Sequence, residues 1–564
     1  VTASTFALGL DFGTSSVRAL LVDTTSGAEI ATASAAYPHG ENGVLTTPHD
    51  ADVARQHPAD HLSAAIAAVR EALQRAGNHP GFRPGRIVGI GVDTTGSTPL
   101  PVDAKVQPLA FADEFEDELA AMAWLWKDHS SHAEAAEITA RARELSLPYL
   151  GTCGGTYSSE WFWSKLLHCE RHHPHVATAA AGWLELCDYV PAWLCGIDDI
   201  HAVPRSLCAA GHKAMHHPRW GGLPSAEFLG GLHPGLLRAR QTFRSPALAS
   251  DRPAGRLCDD VANQLGLPAG IPVAVGALDA HLGAVGSGCG PGTLVKILGT
   301  STCDCMVAPL SQQLPEVPGL CGIAPETIVP GMHGLEAGQS AVGDIFQWFV
   351  QKLAPEGFGH RDSAHALLTA AAQKLAPGAS GLLALDWHNG NRCVLVDPRL
   401  SGLVLGLSLA TTPPELYRAW IEATAFGART ILDRLAEFGV QVERIVTCGG
   451  VAEKSPLLMQ IYADVCERPL LVARSAEACA LGAAICGAVV GGAHPSVPAA
   501  QAAMAGTKDV VYRPQPAHAA TYRELYRLYR QVHDAFGTPG AHDVSRVMKD
   551  LLALRDRARA VSPA

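Results

Sequence analysis

The sequence predicts an α/β protein built from two similar halves, on three observations. Its 564 residues exceed the roughly 250–300 at which a single hydrophobic core stops growing, so two large domains are expected. An apolar run, then Gly13-Thr14-Ser15, then a second β-prone run opens the chain, and the same pattern returns around Gly299-Thr300-Ser301 in GTLVKILGTSTCDCMVAP, residues 292–309. Behind that repeat, RIVTCGG at 444–450 and a helical pattern starting near Ser455 give the strand, glycine turn and helix order of an α/β fold.

Taken in order, residues 5–10 and 17–23 read as two strands joined at Gly13, and TTSG at 24–27 turns the chain into a third strand near 29–34. Ala, Leu, Ile and Val at helical spacing predict a helix over about 58–76, followed by the short apolar strand RIVGIGVD at 86–93. Residues 111–241 belong to neither repeat and carry dense Trp, His and Cys, as in YSSEWFWSKLLHCERHHPH. An insertion of that size is expected to shape a pocket or an interface. The glycines of VGSGCGPG at 285–292 mark the boundary, which divides the chain into 1–288 and 289–564. In the second half a long helix is expected near 414–438, and 521–559 reads as two amphipathic surface helices.

Hydrophobic residues make up 48% and charged residues 17%, which is the composition of a folded globular chain. A net charge of −11 argues against nucleic acid as a partner, because phosphate binding needs clustered Lys and Arg. The 15 cysteines are odd in number, contain no CxxC pair and suggest neither a disulfide framework nor a zinc site; a reducing cytosol is expected. VTASTFALGLDFG lacks the basic start and small-residue cleavage site of a signal peptide, so export is not expected. ACALGAAICGAVVGGA, at 478–493, is shorter than the roughly 18–20 residues a membrane span needs and is expected to be a buried, closely packed helix.

Two motifs carry chemistry. In LGLDFGTSSVRALLVD, residues 8–23, a tight turn aims backbone N–H groups and hydroxyls at one point, which suits phosphate oxygens, while Asp11 could hold a divalent cation through water. The plain alternative is an ordinary hairpin; the second Gly-Thr-Ser turn favours two turns gripping a nucleotide's phosphates from both sides. A GxxxxGK[ST] loop is absent, and so is a GxGxxG between strand and helix. In GALDAHLGAVGSG, residues 276–288, Asp279 at a strand end could accept a hydroxyl proton or could cap a helix, and spacing leaves both open.

These motifs, together with GVDTTGSTPLPVD (91–103), LWKDH (125–129), YSSEWFWSKLLH (157–168), AAGHKAMHHPRWGGLP (209–224), GLEAGQSAVGDIF (334–346) and CGGVAEKS (448–455), resemble the FGGY carbohydrate kinases from about residue 6 to about residue 530. The resemblance implies two duplicated actin-like (ribonuclease H-like) ATPase domains, with ATP and a sugar meeting in the cleft between them. It implies Asp11 as the Mg2+-associated carboxylate, Gly13, Thr14, Ser15 and Arg18 as one phosphate turn, and Gly299, Thr300 and Ser301 as the other. Gly449 and Gly450 fall in the nucleotide-side turn, and Ser455 stands where related kinases usually carry Asn, which puts its adenine contact in doubt. Asp279 matches the catalytic base; Lys213, Glu336 and the backbone around Gly96 and Ser97 fall where a ketose is held, with Tyr157 lining the same pocket.

Bland readings stand beside each: Lys213 as a solvated surface lysine, Glu336 as a helix cap, and His212, His216 and His217 as histidines without a second ligand set. The implied activity is transfer of the ATP γ-phosphoryl to the terminal hydroxyl of a ketopentose, O5 of L-ribulose, in the cytoplasm and with closure of the two halves on the sugar. Another pentulose or a pentitol is the near alternative. An actin-like ATPase or a non-catalytic sugar sensor is the distant one, disfavoured by the insertion and by the presence of both Asp11 and Asp279. The partners implied are a small sugar and ATP, without nucleic acid or membrane, and with room for a homodimer.

Overall fold

The computed structural model describes residues 4–244, 246–359 and 362–538, and residues 550, 551, 553, 554, 557 and 558 of the C-terminal segment. Two mixed sheets organise the chain. In the first, Phe6–Phe12 and Ser16–Asp23 form a hairpin closed by Gly13 N–H donating to the Ser16 carbonyl at 3.0 Å, and Glu29–Ala36 continues the antiparallel ladder. On the other side of Phe6–Phe12 lie Ile87–Thr94 and Pro272–Ala274, both parallel, and then antiparallel Pro253–Arg256. Phe6–Phe12 is buried at every residue, as expected of a strand covered on both faces.

The second sheet repeats this plan. Thr293–Leu298 and Thr302–Pro309 form its hairpin, Met332–Ala337 extends it antiparallel, and Arg444–Cys448 and Leu470–Ala473 follow in parallel before antiparallel Thr507–Tyr512. Gly322–Pro325 is an extra edge strand beside Met332–Ala337. The duplication read from two Gly-Thr-Ser turns is therefore a duplication of sheet topology.

Local signals hold up with small shifts. The helix expected over 58–76 is Pro58–Ala76, opened by proline at its first position and by His57, whose ring accepts the Ala59 N–H; its buried alanines and Val69 face the first sheet. The strand read as 444–450 stops at Cys448, because Gly449 takes φ 95° and turns the chain into the short helix Gly450–Lys454. The C-terminal reading needs a correction. Pro516–Gly537 is one amphipathic helix whose Tyr522, Leu525, Leu528, Tyr529 and Val532 are core residues, so one whole face is internal; most of the second expected helix lies outside the described residues.

The small-residue segment is the helix Ala478–Val490, and no helix among the described residues is long and apolar enough to cross a membrane. It comes from the second half of the sequence yet lies against Phe6–Phe12 and Ile87–Thr94 of the first sheet. Contact is backbone to backbone: a Cβ at Gly9 or Gly91 would stand 1.8 Å from the Ala480 or Ala483 carbonyl oxygen, and one at Gly89 1.9 Å from that of Gly487. Reciprocally, Asp279–Gly286 from the first half packs on Ala478–Val490 and on the second sheet, where a Cβ at Gly482 would meet the Leu282 carbonyl at 1.8 Å.

Because those neighbours are backbone and cannot swing aside, Gly91→Ala is expected to cost about 3 kcal/mol or more. Gly231→Ala, in the helix Ala226–Leu232 with no atom near its added Cβ, should be neutral or stabilise by about 0.5–1 kcal/mol. Urea unfolding of the two variants checks this; a wild-type midpoint for Gly91→Ala would refute the close approach.

Candidate functional site

Strand register assembles a carboxylate cluster. Asp11 lies directly opposite Asp93 in the parallel pair, and Ala277 and Leu278 pair with Asp93 and Thr94, so Asp279 follows at the same edge of the sheet. Asp11 also faces Arg18 across the hairpin and accepts its guanidinium hydrogen bond at 2.9 Å, while Arg18 reaches Glu477 of the second half at 3.4 Å. Arg18 therefore neutralises two acids in this state and is not held in reserve for phosphate alone.

Asp93 was not singled out from the sequence, although it sits in GVDTTGSTPLPVD. It is fully buried and neither of its carboxylate oxygens has a hydrogen-bond partner. Burial, then the charges of Asp11 and Asp279, push its carboxyl well above the ordinary 3.8, and protonated it can donate to Asp11. Burial likewise raises Asp11, against the pull of Arg18. Asp279 is the first residue of the helix Asp279–Gly286 and accepts the Ala280 N–H at 2.7 Å. Its carboxyl is pushed from 3.8 to about 7, first by burial and then by Asp11. A carboxylate that titrates near neutrality suits general base work.

One Gly-Thr-Ser turn leads off this edge, and the other closes the hairpin of the second sheet. Thr14 is fixed from two sides, with Trp126 Nε1 of the insertion donating to its Oγ1 at 3.1 Å and Gln56 Nε2 donating to its carbonyl at 2.8 Å. Gly299 N–H bonds the Ser301 carbonyl at 3.0 Å, as Gly13 does to Ser16, and the Thr300 carbonyl accepts the N–H groups of Val342 at 2.8 Å and Asp344 at 3.2 Å. Lys127, next to the tryptophan that holds Thr14, opposes the upward push that burial gives the Asp344 carboxyl. Gly449 abuts the second turn, since a Cβ there would stand 2.4 Å from the Leu298 carbonyl, while Gly450 faces open space. Ser455 caps the helix Pro456–Cys466, its hydroxyl accepting the Leu458 N–H at 3.3 Å.

Lys213 and Glu336 are not surface groups. Lys213 ends the short helix Leu207–Lys213, Glu336 lies in the strand Met332–Ala337, and both are buried with Lys213 Nζ at 2.9 and 3.0 Å from the two carboxylate oxygens. Burial would raise Glu336, but Lys213 and His281 hold it well below its ordinary value. The pair joins the two halves of the sequence. His281, which sequence reasoning missed although it stands two residues after Asp279, bonds Glu336 Oε2 at 3.1 Å and Cys208 Sγ at 2.9 Å. His212 also comes within 3.5 Å of Glu336, a juxtaposition that the spacing of GHKAMHH could not show.

Tyr157 is buried beside Lys213: its hydroxyl donates to the Lys213 carbonyl at 2.6 Å and accepts the Trp163 N–H at 2.9 Å. Ser97 is similarly committed, its hydroxyl to Glu185 and its carbonyl to Lys165 Nζ at 2.8 Å. Glu185 also accepts the Thr98 N–H at 2.9 Å, and Lys165 donates to the Leu125 carbonyl at 2.8 Å. Gly96 fits against Leu278, the residue before Asp279, because a Cβ would collide with that leucine at 2.0 Å.

Residues 6–210 match the N-terminal domain of the FGGY family of carbohydrate kinases, and residues 294–491 match its C-terminal domain. A ribulokinase of Vibrio parahaemolyticus is 39% identical over 561 residues, covering 95% of this chain and 98% of its own. A ribulokinase of Mycolicibacterium smegmatis is 40% identical over 547 residues, covering 95% and 94%. Among solved structures, a xylulose kinase from Rhodospirillum rubrum superposes with a TM-score of 0.76 at 26% identity, over 94% of this chain and 98% of that one.

The raised Asp279 carboxyl has a consequence for stability. The unfolded chain releases this proton near 3.8 and the folded one near 7, so the folded state holds more protons between them and loses stability as pH rises through that window. In metal-free protein, Asp279→Asn should melt higher than wild type by a few degrees at pH 8, about the effect of 1–2 kcal/mol. The gap should open between pH 4 and pH 7 and stay level above. Melting curves across that range test it; a gap independent of pH would contradict the cluster.

Proposed function

The chain belongs to the FGGY family of carbohydrate kinases, and from that membership we propose that it acts as a ribulokinase, moving the γ-phosphoryl group of ATP to O5 of L-ribulose. The observation that carries this reading is the juxtaposition of a carboxylate tuned to about 7, Asp279, with Asp11 on one side and, through His281, the Lys213–Glu336 pair on the other. The ketose identity is supported by relatives matched over nearly their whole length.

Phosphoryl transfer passes through a loose transition state with charge spread over the equatorial oxygens, so alignment and neutralisation are the protein's main tasks. Backbone N–H groups and hydroxyls of residues 13–15 and 299–301 would hold the phosphates, with Gly450 leaving room for the nucleotide. Asp11 and Asp93 fit a divalent cation of the Mg2+ class, because two buried Asp93 oxygens without partners and a neighbouring carboxylate are hard oxygen ligands in need of positive charge. Such a cation would neutralise charge on the phosphates. Lys213, Glu336 and the backbone at Gly96 and Ser97 would fix the sugar by its hydroxyls, and Asp279 would orient the terminal hydroxyl and take its proton as the bond to phosphorus forms.

Because Lys213 and Glu336 come from different halves, a sugar bound between them ties the halves together and supports closure that keeps water from competing as acceptor. Fifteen free cysteines support a reducing, cytosolic setting.

ADP release measured with L-ribulose, D-ribulose, xylulose and pentitols should rank L-ribulose first by kcat/KM. Release that ignores the sugar would identify an ATPase instead, and ketose binding without release would identify a sensor. Asp279→Asn should lower kcat by about 10²–10⁴ while calorimetry finds ketose affinity within a few-fold of wild type. Unchanged turnover would remove Asp279 as the base.

A further inference from the structure

Beside the Lys213–Glu336 pair and His281 lie two thiols that the proposed reaction does not use. Thr302–Pro309 is a strand, so Cys303 and Cys305 share one face while Asp304 points to the other and takes Lys296 at 2.7 Å. The two sulfurs are 3.8 Å apart. Thiolates about 2.3 Å from a tetrahedral zinc ion are separated by about 3.8 Å, so this pair already spans one edge of that polyhedron. Cys305 stands directly opposite Glu336 across the antiparallel ladder. One ligand atom each from His281, Cys303 and Cys305 lie within 4.8 Å of one another.

A second, overlapping set points the same way. His212, His281 and Glu336 also bring their ligand atoms within 4.8 Å, all three residues being buried. Glu336 Oε2 is 3.1 Å from His281 Nε2, close to the roughly 3.3 Å edge expected for oxygen and nitrogen ligands of zinc. His212 Nδ1 is buried without a hydrogen-bond partner and stands 3.5 Å from that same oxygen. The other groupings among the described residues, His39–His57–Asp60 and Glu134–His168–His172, each contain an exposed histidine and no thiol.

We infer that His281, Cys303 and Cys305, with Glu336 as fourth ligand, form a site for a thiol-preferring divalent cation of the Zn2+ class, and that filling it blocks the sugar pocket. The ligand chemistry separates this site from the carboxylates at Asp11 and Asp93: thiol and imidazole select a borderline-soft ion, carboxylate oxygens a hard one. Binding is a ligand exchange without electron transfer. Two thiol protons and the imidazole proton facing Glu336 pass to solvent, the ion sheds its bound waters as two S–metal, one N–metal and one O–metal bond form, and Glu336 leaves one of its contacts with Lys213. Without the ion, the contact with Cys303 and then burial push the Cys305 thiol up. The inhibitory half of the inference rests on the reading of Lys213 and Glu336 as sugar contacts; the binding half does not.

Metal-free protein titrated with Co2+, in the absence of sugar and nucleotide, should take up one equivalent with a thiolate-to-metal charge-transfer band and the intense d–d bands of a tetrahedral ion. Cys303→Ser with Cys305→Ser should lose the charge-transfer band and bind the ion at least the roughly 10–100-fold more weakly that losing even an outer-shell partner costs, with an unaltered circular dichroism spectrum. Cys303→Ala alone, at the more exposed of the two positions, serves if the double variant does not fold. A weak octahedral spectrum in wild type, or a band that survives both variants, overturns the site. In ADP-release assays Zn2+ should inhibit wild type competitively with L-ribulose and reversibly with chelator, and the cysteine variants should keep activity and resist inhibition. Inhibition competitive with ATP overturns the inhibitory half. Should L-ribulose prove not to be the substrate, the Co2+ spectrum still decides the site.

Discussion

Asp11, Asp93 and Asp279 stand at the ends of neighbouring strands, close enough that ionising any one raises the cost of ionising the next. Arg18 supplies one positive charge to this edge and shares it with Glu477. Together with burial, the deficit pushes the Asp93 carboxyl well up and lifts that of Asp279 to about 7. Two unrelated parallel ladder contacts, Asp11 with Asp93 and Asp93 with Ala277, are enough to enforce it, since register leaves the acids no route apart.

That edge is useful only if the opposite half meets it, and the fold secures this by exchange. Ala478–Val490 from the late part of the chain covers the first sheet, and Asp279–Gly286 from the early part covers the second. Glycines at 9, 89, 91 and 482 let backbones touch where any side chain would hold them apart. The helix that carries Asp279 is thus clamped between the halves, and His281 on the same helix reaches Glu336 of the other half. A movement that separates the halves here must work against the buried Lys213–Glu336 pair.

Around the site, groups that resemble ligands act as struts. Tyr157 holds the Lys213 carbonyl, Glu185 and Lys165 hold both ends of Ser97, and Trp126 holds Thr14. Beneath the second turn, buried Lys296 bonds Asp304 and Gln339, and Gln339 in turn donates to Asp386 at 2.8 Å. Each strut removes motion from a group that the proposed function brings to a substrate, so on that reading less ordering is left to be done on binding.

Strand and helix periodicity, the repeated Gly-Thr-Ser turn and the small-residue helix were legible in the chain because they depend on neighbours within a few positions. The motifs around Asp11, Asp279, Lys213 and Glu336 were legible through their combination. Asp93 and His281 were not, although both lie inside quoted motifs, because what distinguishes them is an absent partner in one case and a partner 55 residues away in the other. The partners of the Tyr157 and Ser455 hydroxyls were not legible for the same reason: a hydroxyl's role is decided by the carbonyl or amide it finds. The sequence by itself determined the two-fold plan, the turns and the supply of acids and glycines, all of which follow from local sterics and pattern. Only the tertiary structure decided which carboxylates crowd together, which lysine is buried and which thiols face a histidine, because electrostatic and hydrogen-bond energies depend on distance through space and not along the chain.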